Sequence, residues 1–96
     1  MDDRIEAFVR DVLNLEGRDS NQVRERVRIH LARYETLFRG NEPDQRNKDA
    51  AAERCRKLCR DRVLKEIQLR MTTSTVAHLQ IVLSVIGGPA RFPLKD

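Results

Sequence analysis

Two cysteines, two histidines and a surplus of arginine are the residues through which this chain could do chemistry. Cys55 and Cys59 stand four apart, which on a helix puts both thiols on one face. If His30 and His78 came near, two such thiolates would suit a zinc ion. The spacing differs from the two-residue gap of most zinc knuckles, and both histidines are isolated. A disulfide within one continuous helix is poor geometry. Both cysteines fall on an apolar stripe, where a free thiol behaves as a small hydrophobe. Core packing is therefore their expected role, and no metal ligand is assigned. His30 lies on the apolar stripe of its segment and His78 in the most apolar part of the chain. Either has the chemistry of a general base or a pH sensor; a buried, hydrogen-bonded core histidine is the expectation. No Asp-His-Ser or Cys-His order stands out, and there is no glycine-rich phosphate loop. Asp2 with Asp3, and Glu42 with Asp44, are acid pairs at helix starts, where they complement the helix dipole. The sequence assigns no catalytic residue and no cofactor, and the expected protein is not an enzyme.

The basic residues need separate treatment. The chain carries 19 Lys and Arg against 15 Asp and Glu, a net charge of +4, and 15 of the bases are arginine. Arginine suits phosphate and carboxylate forks, but a GC-rich genome also favours its codons, and +4 is modest for a nucleic-acid binder. The charge is unevenly placed. Residues 1–17 sum to −3, residues 18–39 to +3 and residues 46–70 to +5, while residues 71–90 carry none. An acidic segment beside basic ones can also be internal complementarity. The first two helices, with Gly17 in their link, superficially match a DNA-binding helix-turn-helix. Arg24, Arg26 and Arg28 near the start of the second helix would then be the nucleic-acid contacts. The match is degenerate, because Leu13, Glu16 and Arg18 sit where such motifs pack tightly. Aromatics are 4% of the chain, with no Trp, which argues against a base-stacking surface.

The elements that must position these residues read as helices. A first helix is expected from Asp2 or Asp3 to Glu16, with Ile5, Phe8, Val9, Val12, Leu13 and Leu15 as its apolar stripe and Gly17 as its stop. A second, capped by Asp19 or Ser20, runs to Gly40. Its stripe is Val23, Val27, Leu31, Tyr34, Leu37 and Phe38; Arg24, Arg28 and Glu35 lie on one flank and Arg26 and Arg33 on the other, with Ile29 beyond them. Asn41–Asn47 is the clearest break. Pro43 suits the first turn of a third helix, expected near 43–71 and about 40 Å long. Its main face is Ala52, Cys55, Cys59, Val63, Ile67 and Met71. Glu53 with Lys57, and Asp61 with Lys65, are expected i, i+4 ion pairs. Thr72–Thr75 should break that helix and cap a fourth over Thr75–Ile86, for which a strand is the alternative.

The fold class expected is all-α: a bundle of about four helices in one domain over residues 1–88, followed by a flexible tail over 89–96. The fourth helix is apolar nearly all round, so it must be covered on several sides. Leu79, Val82, Leu83 and Ile86 are expected in core or dimer contacts. The neutral stretch from Met71 to Ala90 has the length of a membrane span, but its dense apolar part, Val76–Ile86, is too short for one. With no secretory signal and two free thiols, a cytoplasmic protein is expected. The leading reading is a non-enzymatic helical protein that acts through protein association, as a homodimer or with a helical partner. The alternative is a small basic nucleic-acid-binding regulator.

Overall fold

A computed structural model describes residues 2–70 and 72–87. It contains four helices: α1 (Asp3–Leu13), α2 (Ser20–Arg39), α3 (Gln45–Leu69) and α4 (Thr73–Ile86). Residues 75–86 are helix, not strand. The tail expected over 89–96, with Phe92, lies outside the described residues, as does Met71. Helices α2 and α3 pack on each other; α4 packs on both, and so does α1. One core joins all four helices: Phe8 and Val12 from α1, Val23 and Val27 from α2, Val63 with the two cysteines from α3, and Leu79 and Val82 from α4. Among the described residues, no helix is long and apolar enough to cross a membrane.

Local chemistry sets the helix ends, and it moves several expected boundaries. The Asp2 carboxylate accepts from the Arg4 backbone N–H (2.9 Å) and starts α1. That helix ends three residues before Glu16. The Leu15 and Glu16 N–H groups donate to the carbonyls of Val12 and Leu13 (3.1 and 3.2 Å), so the chain tightens into i to i−3 bonds. This turn swings Leu15 into the core. Gly17 then takes a φ of 95°, a left-handed backbone that favours glycine. Asp19 caps α2 by accepting from Asn21 and Gln22. Pro43 does not enter the first turn of α3. Asp44 is the better cap, because its carboxylate takes the orphan Arg46 N–H (2.9 Å), which leaves the proline in the link. Helix α4 starts at Thr73, two residues earlier than expected, with Thr72 at its N-cap position. Thr75 lies inside its first turn, where its hydroxyl donates to Glu16 (2.9 Å).

The ion pairs on α3 also differ from the expected set. Glu53 pairs with Arg56, and Lys57 reaches forward to Asp61 (2.9 Å). Lys65, expected to pair with Asp61, is bonded to no carboxylate among the described residues. Arg56 is drawn toward α2, where Glu35 accepts from it at 3.0 Å; that second partner favours the three-residue spacing over the four-residue one.

Candidate functional site

Leu79, Val82, Leu83 and Ile86 are all buried within the chain. The outer side of α4 carries Ala77, Gln80 and Ser84, flanked by the partly buried Val76, Ile81 and Val85. Among the described residues the large apolar side chains that do stand exposed are elsewhere: Ile29, Leu37 and Leu69. Leu37 was expected on the buried stripe of α2, yet it is 51% exposed. Phe38 takes the inward position instead, with the Arg4 guanidinium 3.9 Å from its ring centroid. One residue earlier means about 100° round the helix, which carries Leu37 out past α1.

Ile29 and Leu37 share a strip of α2 with Gln22, Arg26 and Arg33, all exposed. The spacings 22, 26, 29, 33 and 37 keep these residues on one side of the helix. The Arg33 guanidinium lies 6.0 Å from the Tyr34 ring centroid, a weak restraint on its position. Nearby carboxylates are already engaged: Glu25 with Arg28 (3.5 Å), and Glu35 with Arg39 (3.7 Å) and Arg56 (3.0 Å). Neither Arg26 nor Arg33 has an acidic partner among the described residues. The three arginines singled out from the sequence therefore divide. Arg26 belongs to this strip, Arg24 is half-buried and donates to the Asn21 side chain (3.5 Å), and Arg28 faces Glu25 on another side. Two residues along an α-helix is about 200° of rotation, so no single surface presents all three.

Arg62 and Arg70, by contrast, are committed internally. Arg62 donates to Glu6 through Nε (2.8 Å) and to Glu66 through Nη1 (2.7 Å), tying α1 to α3. Arg70 donates to the other Glu66 oxygen from one turn on (2.7 Å). Burial pushes the Glu66 carboxyl up, and the hydrogen bonds from Arg62 and Arg70 more than reverse this, holding it below the usual carboxylate value. The Arg62 hydrogen bonds also lower Glu6. This network crosses the groove between α1 and α3. On one side is a space of about 300 Å³ floored by Ile5 and Leu58; on the other, one of about 410 Å³ floored by Val9 and Leu13, with Arg10 and Asn14 on its rim. With Arg62 and Arg70 held by carboxylates of the chain itself, the cations left in the groove are Arg10 on one side and Lys65 on the other. The sequence signal for this network was present: Glu66 is four residues from both Arg62 and Arg70.

The other chemistry-bearing side chains are placed as follows. Cys55 and Cys59 are free and fully buried; the hydrogen bond with Cys55 and burial push the Cys59 thiol far up, so it stays protonated. His78 is buried on α4, with Nε2 2.7 Å from the Val12 carbonyl at the end of α1. His30 Nδ1 is buried without a hydrogen-bond partner, 3.9 Å from Asp11 Oδ2. That oxygen accepts from the Tyr34 hydroxyl (2.9 Å). Burial and this bond push the Tyr34 hydroxyl up. His30, Asp11 and Tyr34 thus form a small polar cluster between α1 and α2, closed inward by Phe8 edge-on to Tyr34 at 5.9 Å. Among the described residues no group of three His, Cys, Asp or Glu side chains is placed to hold a metal ion. The chain matches no family model, no curated protein and no solved structure.

Proposed function

We propose that this chain is a non-enzymatic association module whose docking surface is the outward face of α2. One observation carries the reading: Ile29 and Leu37, 53% and 51% exposed, lie on one strip with two arginines that have no acidic partner among the described residues. Covering apolar surface drives association, and arginine among apolar residues is enriched where proteins meet. The non-enzymatic part rests on the disposition of the reactive groups. Both thiols are shut away from solvent, and His78 is engaged with a backbone carbonyl. A cytoplasmic setting goes with this reading, since Cys55 and Cys59 are free thiols. The homodimer expected from the sequence drew on the apolar excess of α4. Four of those side chains belong to the subunit's own core, which shifts the emphasis to α2. A nucleic-acid role draws on Arg26 and Arg33 too, but Arg24 and Arg28 add nothing to the same surface.

The test is position-specific photocrosslinking in the native cell. A benzophenone side chain replaces Ile29 or Leu37 on α2, or Lys57 on α3 as a control. A discrete adduct from positions 29 and 37 but not from 57 supports the docking face. No adduct from 29 and 37, or equal adducts from all three positions, overturns it.

A further inference from the structure

We infer that the α2 face takes an acidic amphipathic helix. The inference rests on that face being the docking surface, and it names the partner's chemistry. The strip is long and narrow. From Arg26 to Leu37 it covers about 16 Å, or three helical turns, with a cation or an apolar side chain at each step: Arg26, Ile29, Arg33, Leu37. Such a row matches another helix laid along it, with apolar side chains at i, i+3 or i+4, and i+7 and charges beside them. The charge sign follows from what the chain itself withholds. The neighbouring acids Glu25 and Glu35 are already paired with Arg28, Arg39 and Arg56, so among the described residues no carboxylate is left for Arg26 or Arg33, and a partner's would complement them. A second copy meeting this face by a two-fold axis would bring four arginines, Arg26 and Arg33 from each subunit, into one interface with no acid of the strip to balance them. Like charges in contact are a strong penalty against a wrong partner. A phosphate backbone would satisfy the arginines but leave Ile29 and Leu37 facing charged oxygens. An acidic helix satisfies both halves of the strip.

The experiment uses the full chain, isotope-labelled, with its amide resonances followed by NMR. The probe is a capped peptide of about 18 residues, long enough for the strip, with leucines at i, i+4, i+7 and i+11 and glutamates on both flanks. Its counterpart carries lysine for every glutamate, and a mixed-sequence DNA duplex is the third titrant. The expected result is saturable shifts confined to residues 22–37 with the acidic peptide, weakening as salt rises. The double variant R26E/R33E should lose roughly tenfold or more in affinity for the acidic peptide. It should also gain affinity for the lysine peptide, a reversal that a merely misfolded variant cannot show. Tighter binding of the DNA duplex than of the acidic peptide at the same amides overturns the inference in favour of nucleic acid. Dilution-dependent shifts there in the free protein overturn it in favour of a second copy. No shift with the acidic peptide overturns it outright. If crosslinks still form from positions 29 and 37 in that case, the docking face survives and only its acidic occupant falls.

Discussion

Helix α4 carries no charge over its 14 residues, and α2 carries seven charged side chains over 20. Apolar content alone would make α4 the sticky surface of the molecule. The opposite holds. The largest side chains of α4 are inside the subunit, and its outward side is Ala77, Gln80 and Ser84. Helix α2 touches each of the other three helices, yet it leaves two large apolar side chains half exposed. What an element offers to a partner is set by which of its residues its neighbours leave over, not by its average hydropathy. Among the arginines, Arg56 and Arg62 on α3 and Arg70 at its end are bonded to carboxylates of the chain, whereas Arg26 and Arg33 have none among the described residues.

The contrast breaks most visibly under substitution. Leu83→Asp places a charge in the core of α4 and should cost more than about 4 kcal/mol, enough to leave the chain unfolded by circular dichroism. Leu83→Ala should lower stability by about 3 kcal/mol in urea unfolding. A folded Leu83→Asp protein would show that α4 is not the inner helix. Next in size is Glu66→Ala, which takes one of the two partners of Arg62 and the partner of Arg70 and should cost about 2 kcal/mol.

The same network has a pH signature. The folded-state values of Glu66 and Glu6 lie below their ordinary 4.5, so folding favours the ionised forms. Their stabilisation is complete above about pH 5 and is lost as the pH falls through the lowered values. The urea midpoint should drop between about pH 5 and pH 3 in the parent chain and drop less steeply in Glu66→Gln; parallel curves would remove Glu66 from the acid transition. At the small end, Leu37→Asp on α2 should change stability by no more than about 0.5 kcal/mol. A loss like that of Leu83→Ala would mean that Leu37 is covered after all and that the α2 strip is not free.

Much of the fold was legible because helix signals are local. Asp2, Asp19 and Asp44 can each satisfy an orphan N–H, and Gly17, Gly40 and Gly87 each take a positive φ at or near a helix end. These are properties of a few adjacent residues. The alternation of apolar positions likewise identified Phe8, Val27, Cys55 and Val63 as inner residues. The docking strip was harder to read, because Leu37 fits the apolar period of α2 as well as Tyr34 does. Only the placement of α1, with Arg4 over Phe38, decides which is covered. The ion pairs were ambiguous for a related reason. Arg56 had partners at acceptable spacing on α3, and the choice was made by Glu35 on another helix. The His30, Asp11 and Tyr34 cluster joins residues up to 23 apart, and no local rule brings them together.

The bond between His78 and the Val12 carbonyl joins residues 66 apart in the chain, and Thr75 with Glu16 spans 59. Closing loops of that size is entropically slow, whereas α2 and α3 are joined by residues 40–44 alone and can pair early. The first and last helices are therefore expected to meet last, as a latch made after the barrier has been crossed. Removing it with His78→Phe should speed unfolding severalfold and leave the refolding rate nearly unchanged in stopped-flow measurements. Slower refolding by the same factor would instead place the latch in the folding nucleus. A contact formed that late would add to the barrier against opening and leave the speed of folding alone, so one imidazole and one carbonyl oxygen would lengthen the folded lifetime without changing how fast it is reached.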